Sequence, residues 1–236
     1  MSLGLSVCVA CYDEAATLER AVAEAREALA AVGTTPGHEV LIVDDGSTDG
    51  SGAIADRLAA EHREVRVVHH TRNLGLGGFY RTAFREARGD VLYFMAADLQ
   101  PIPGEYFPEF VPLLADHDVV VGFDLHREAP ALSRLLSWGE GALFAILFPG
   151  VPKIGGPLMI KRSVVEAFDL QLAREEDRSW LVLWELMVRA KRAGFRFARV
   201  PVRRRPRASG GTRASTLRTA VAMLRQVRRL RRALAG

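Results

Sequence analysis

The chain has 236 residues, 49% of them hydrophobic and 25% charged, with a formal net charge of +4. This size suits one large domain or two small ones, with enough apolar content to cover a sheet with helices. The opening MSLGLSVCVACYDE lacks the basic start, apolar core and small-residue cleavage site of a signal peptide, and the longest apolar run, GALFAILFPGV from Gly141, is broken by Pro149 and too short for a hydrocarbon layer of about 30 Å.

In chain order, Leu5 to Cys11 is predicted as a buried strand, followed by an Ala- and Glu-rich helix from about Glu14 to Ala31. HEVLIVDDGSTDG reads as a strand ending in two acids and a turn, with a helix from about Ser51 to Glu61. A strand at Val65 to His69 leads into the glycine loop RNLGLGG, a helix to Arg88 and a strand at Val91 to Met95. Another helix and the strand DVVVG follow, then a looser helical stretch containing the apolar run. Beyond it come a short strand near Leu158 to Ile160, a helix at about Ser179 to Ala193, the strand FRFARVPV, the loop PVRRRPRASGGTR and a helix from Ser215 to Leu234. Strands and helices joined by short connections imply parallel βαβ units, hence an α/β doubly wound sheet with ligands beyond the carboxyl ends of its strands. Asp44, Asp45 and Asp98 all fall at such ends, so they are expected to converge.

Cys8 and Cys11 suit a reducing cytoplasm, and their C-x-x-C spacing invites a redox or zinc reading. They lie within one apolar strand, on opposite faces and without a second pair, which favours buried structural thiols. Charge is strongly uneven. Glu185 is the last acid, and sixteen Lys or Arg follow it. A basic end on an acidic body points to an anionic partner. Without aromatic interleaving or a recognised module, nucleic acid is not expected to be that partner. The final helix is read either as resting on anionic lipid, together with the run around Leu143 to Phe148, or as packed on the domain with a solvated basic face.

Taken alone, the paired acids of LIVDDGSTDG suit two roles equally: accepting hydrogen bonds from a nucleoside, or capping the next helix. The ordered set VACYDE, LIVDDGSTDG, RNLGLGG, GDVLYFMAADLQ, DVVVG, RLLS and PVRRRPRASGGTR, across about residues 5 to 215, resembles the family 2 glycosyltransferases of GT-A fold. It is most similar to the dolichyl- and polyprenyl-phosphate sugar synthase branch. The resemblance implies a Rossmann-like, mostly parallel sheet with helices on both faces. It divides the chain into a domain over 1–214, with a nucleotide-sugar half to about 124 and an acceptor half beyond it, and a basic amphipathic helix over 215–236.

Carried over by position, Ala10, Tyr12, Glu14, Asp44 and Asp45 line the nucleoside. Gly75, Gly77 and Gly78 let the chain pass close to the donor. Ala97, Asp98 and Gln100 belong to the D-x-D-like segment, with Asp98 holding Mg2+ or Mn2+. Arg127, Arg134, Arg207 and Arg213 match basic positions near phosphates, where a bidentate guanidinium suits phosphate oxygens. Four positions depart from the family pattern: Ala10 stands for proline, Asp13 for asparagine, Ala96 for the first D-x-D acid and Asp124 for arginine.

The implied reaction is inverting transfer of a sugar from a nucleotide donor to polyprenyl phosphate, on the cytoplasmic side and in peripheral contact with the inner face of the membrane. Two other readings stay open. One is transfer to a soluble hydroxyl or amine, with Glu175, Glu176 or Asp177 as base, although a helix start is the favoured reading of these acids. The other is a nonenzymatic relative that binds nucleotide or a partner. Sugar, base and oligomeric state are left undefined.

Overall fold

The computed structural model describes residues 3–33, 37–98, 102–124, 145–152, 156–173, 179, 181–202 and 217–234. The strands are β1 (Leu5–Cys11), β2 (Glu39–Asp44), β3 (Val65–His69), β4 (Val91–Ala96), β5 (Val119–Asp124), β6 (Leu158–Lys161) and β7 (Phe197–Val202). The helices are α1 (Leu18–Val32), α2 (Ser51–Glu61), α3 (Gly75–Glu86), α4 (Pro103–Leu113), α5 (Arg162–Glu166), α6 (Leu181–Arg192) and α7 (Leu217–Ala233).

All seven strands form one sheet in the order β3-β2-β1-β4-β6-β5-β7. Its first four strands are parallel, and β6 runs antiparallel to both β4 and β5. The predicted α/β sheet, mostly parallel and covered on both faces, is therefore observed, with the reversed β6 as an added feature.

Period-two alternation sorts the core. Leu5, Val7, Val9 and Cys11 of β1 and Val91, Tyr93 and Met95 of β4 point to the face covered by α1, α2 and α4. Cys8, Leu92 and Phe94 point to the face covered by α3, α5, α6 and the end of α7. The Tyr93 ring meets Phe107 of α4 edge-on, with centroids 5.1 Å apart. The two cysteines are buried on opposite faces as free thiols, which bears out their structural reading. Burial raises both thiol pKa values, that of Cys11 to about 11.

Two helix starts differ from the sequence reading, each for a local reason. α1 begins at Leu18 because residues 12–17 form a loop, with the Glu14 carbonyl accepting from Thr17 N and Leu18 N at 3.0 Å. α3 begins inside the glycine loop, at Gly75, because Asp45 supplies acceptors to its first amides. α6 and α7 fall where predicted.

The basic tail is anchored by the last acid of the chain. Glu185, on α6, is fully buried. Its carboxylate accepts from Gln171 N at 2.9 Å, Leu172 N at 2.8 Å and Arg189 Nε at 2.9 Å. Arg189 Nη2 in turn donates to the Ala233 carbonyl at 2.6 Å, satisfying an end group of α7. Leu230 is buried beneath that end while Arg225, Arg228, Arg231 and Arg232 stay exposed. Among the described residues no helix is long and apolar enough to cross a membrane.

A buried carboxylate stripped of its cation destabilises a fold far more than a surface pair would. Arg189→Met is expected to cost about 3 kcal/mol of unfolding free energy in denaturant titration, and Glu185→Gln less, because its amide oxygen still accepts a backbone hydrogen bond. In the native state, neither cysteine is expected to react with a thiol reagent near neutral pH.

Candidate active site

Parallel pairing of β1 with β2 and β4 brings three strand ends to one level. Cys11 pairs with Asp44, and Ala10 pairs with both Val43 and Ala96. The ladder continues past the strands: Asp45 N donates to the Cys11 carbonyl at 2.8 Å, and Ala97 N to the Ala10 carbonyl at 2.9 Å. Ala10, Tyr12, Asp44, Asp45, Ala97 and Asp98 are thereby gathered along one edge. Tyr12 is 46% exposed there, and Asp98 is half-buried two residues beyond β4.

The loops after β1 and β2 are laced together. Asp13 lies in the left-handed region at φ 53°, and its Oδ1 accepts from Thr48 N at 2.7 Å. Ser47 Oγ accepts from Asp13 N at 3.0 Å, and Ser51 Oγ from Glu14 N at 2.9 Å. Asp49 completes the lacing through Ala15 N at 2.9 Å and Ser51 N at 3.0 Å. An asparagine at position 13 would offer the same carbonyl-type acceptor and tolerate the same backbone, so this departure from the family pattern conserves the geometry. Gly46 is required where the second loop crosses the third: a Cβ there would lie 2.8 Å from the Arg72 carbonyl carbon.

The paired acids do different things. Asp44 Oδ1 accepts from Ser47 N at 3.1 Å, while Oδ2 faces His69 Nδ1 at 2.8 Å. The other nitrogen of His69 faces Asp56 Oδ1 at 3.0 Å, an arrangement in which a protonated ring, with two N–H donors, satisfies both carboxylates. Asp45 accepts from Leu74 N and Gly75 N at 2.7 Å each and faces His70 Nδ1 at 2.7 Å. Asp45 therefore does cap a helix, and the helix is α3, not the next one in sequence. Gly75 opens α3 at φ 69°, and Gly77 is buried in its first turn.

The sequence reading did not single out His69 and His70. A usable signal was present: an apolar strand ending in two histidines follows one ending in two aspartates, and parallel pairing sets Asp44 opposite His69. Arg127, Arg134, Gln100, Arg207 and Arg213, with the Glu175 to Asp177 acids, lie outside the described residues.

Among the described residues no group of three or more His, Cys, Asp or Glu could hold a metal ion. Among the described residues a cation at Asp98 would have that single carboxylate, with phosphate oxygens and water to complete its shell. That donor set fits Mg2+, which keeps several waters and takes only one or two carboxylates.

Hydrogen bonding to Asp44 raises the His69 pKa above 6.5, partly offset by desolvation and aided by Asp56. Burial pushes Asp44 upward, but hydrogen bonds from Ser47 and His69 outweigh it and leave the carboxyl below its ordinary value. A raised imidazole stabilises the fold fully below pH 6.5, and this contribution fades as pH climbs through the raised value. On the acid side, the Asp44 contribution is lost as pH falls below 3.8 through its lowered value. The stability deficit of His69→Gln against the parent should therefore grow as pH is lowered from about 8.5 to about 6, measured by urea unfolding. A deficit independent of pH across that range rules out the charged pair.

Comparison with known proteins gives this edge its context. The family model described as Glycosyl transferase family 2 matches residues 6–166. Glycosyltransferase AglD of Haloferax volcanii is 32% identical over 231 residues, covering 95% of this chain and 36% of that protein. The chain thus spans about a third of that relative's length. Undecaprenyl-phosphate mannosyltransferase of Micrococcus luteus is 30% identical over 205 residues, covering 81% of this chain and 79% of that protein. Glucosyl-3-phosphoglycerate synthase from Mycobacterium tuberculosis, solved with Mn2+, UDP and phosphoglyceric acid, aligns at a TM-score of 0.68 and 21% identity, covering 97% of this chain and 77% of that one. The structural likeness carries the GT-A fold. With the interlocked strand-end loops falling inside the matched span, the chain belongs to glycosyl transferase family 2.

Proposed function

We propose that this chain transfers a hexose from a nucleotide-sugar donor to polyprenyl phosphate, with inversion at the anomeric carbon. The observation that carries the reading is the gathering of Tyr12, Asp44 and the Asp98 turn at one carboxyl edge of a family 2 domain. The lipid-phosphate acceptor is supported by the M. luteus relative, most of whose length this chain covers.

In this reading the donor lies across the ends of β2, β1 and β4. Tyr12 offers an exposed ring to the base, and the lone pairs of Asp44 not used by Ser47 and His69 face a nucleoside N–H or hydroxyl. Asp98 holds Mg2+ or Mn2+, as implied by the family pattern; the M. tuberculosis synthase of like fold, solved with Mn2+ and UDP, supports a divalent cation. When bound, the cation offsets the charge that develops on the departing diphosphate. Arg127, Arg134, Arg207 and Arg213 are assigned to the phosphates of acceptor and donor. A phosphate nucleophile is already ionised at neutral pH, so this transfer needs no general base.

The exposed arginines of α7 support a site served by a membrane-borne acceptor, with the enzyme in peripheral contact with the cytoplasmic leaflet. The decisive assay supplies purified protein with candidate nucleotide sugars, polyprenyl phosphate and Mn2+. Transfer is expected with the parent and is expected to fall by at least about a hundredfold in Asp98→Ala. Unchanged transfer in that variant removes the metal assignment, and transfer only to soluble hydroxyl acceptors removes the lipid-phosphate reading.

A further inference from the structure

The two histidines that end β3 occupy unlike surroundings. His69 sits at the surface between Asp44 and Asp56, whereas the His70 side chain is only 8% exposed and has no part in the transfer chemistry above. His70 Nδ1 lies 2.7 Å from Asp45 Oδ1, and its Nε2 lies 2.8 Å from Thr82 Oγ1 on α3. Thr82 is itself buried. One imidazole thus spans the end of β2 and the second turn of α3.

This arrangement takes three of the roughly four lone-pair positions of the Asp45 carboxylate. Oδ1 accepts from Leu74 N and meets His70, while Oδ2 accepts from Gly75 N. The amides at a helix start attract anions, and an exposed pair there would be open to a donor phosphate. Here an internal carboxylate already holds them. Leu74 and Gly75 are consequently fixed by the protein, and their fixed conformation, with Gly75 at φ 69°, sets the course of the glycine loop.

We propose that His70 is a positioning residue for donor binding: it locks the Asp45 carboxylate against the Leu74 and Gly75 amides and so holds the glycine loop in its donor-facing shape. Asp45 is then a loop anchor, whatever contact its remaining Oδ2 lone pair makes with a nucleoside. The donor-binding half of this inference rests on the nucleotide-sugar reading above. The lock itself rests on the hydrogen bonds alone.

Two substitutions separate the halves of the imidazole. Asparagine places its amide nitrogen near the position of Nδ1, keeping the Asp45 contact and losing Thr82. Glutamine reaches the position of Nε2, keeping Thr82 and losing Asp45. By hydrogen exchange, the Leu74 and Gly75 amides are expected to exchange about tenfold faster in His70→Ala and His70→Gln and at nearly the parental rate in His70→Asn. Donor KM is expected to rise about tenfold in His70→Ala and His70→Gln, with kcat within about twofold of the parent, and to return in His70→Asn.

A purely structural role predicts something else: losses that track global stability, with asparagine no better than glutamine. That pattern overturns the proposal, as does an unchanged KM in variants whose loop amides exchange faster. If the parent binds no nucleotide by calorimetry, the transfer reading fails and donor positioning fails with it. In that case the exchange pattern still decides whether His70 locks the loop.

Discussion

The structure depends on the parallel pairing of one short strand with two neighbours. β1 lies between β2 and β4, and its register sets Ala10 level with Val43 and Ala96, and Cys11 level with Asp44. A one-residue slip in either pair would turn every side chain of a strand to the other buried face and force both apolar layers to repack. Because β1, β2 and β4 are covered on both faces, that error has no cheap form. Core packing thus fixes the relative heights of loops that share no sequence proximity. The lacing of Asp13, Ser47, Thr48, Asp49 and Ser51 then adds rigidity to heights already set.

The two edges of the sheet use polar groups differently. At the amino edge the buried Glu39 accepts from Ser6 Oγ at 2.7 Å and Arg88 N at 2.5 Å through one oxygen, and from Arg66 Nη1 at 2.8 Å through the other. Arg162 Nε binds the Gly89 carbonyl at 2.8 Å, and its Nη2 binds that of Ala87. This network closes on itself and ties β1, β2 and the entry to β4, which is a structural task. The carboxyl edge instead leaves Tyr12 and the Asp98 turn accessible beside its satisfied acids. Satisfied acids in that position hold loops still without adding flexible charge to the site.

Most of the fold was legible because its signals are local. Apolar runs ending in Asp44, His69 and Asp98, separated by amphipathic stretches, specify the alternation of strands and helices, and the limits of β3 and α2 match the sequence reading. The reversed β6 was not legible, since direction in a sheet is a property of the whole topology and Leu158 to Lys161 is too short to carry it. The early start of α3 was hidden for a similar reason. Glycine breaks a helix by propensity, and only the acceptor supplied by Asp45, some thirty residues earlier in the chain, reverses that preference at Gly75. Of the candidate site, the acids were found from strand ends, while the histidines became visible only through cross-strand pairing. Ala10 and Ala96, two separate departures from the family pattern in sequence, are direct neighbours across β1 and β4, so a proline and an acid are absent from a single spot.

The reversal of β6 has an effect on how this domain can diversify. Since β5 runs with β4 and β6 against it, the chain leaves the sheet after Asp124 and re-enters before Leu158 on the same side, where Gly122 N donates to the Pro157 carbonyl at 2.8 Å. An excursion pinned at both feet is insulated from the strand register. Lengthening it raises the closure entropy only logarithmically, by about 0.6 kcal/mol per doubling. By sequence Arg127 and Arg134 fall between β5 and β6, whereas the residues of the laced loops precede both in the chain. Insertions or deletions there can therefore change this connection and leave the sheet and its laced loops undisturbed.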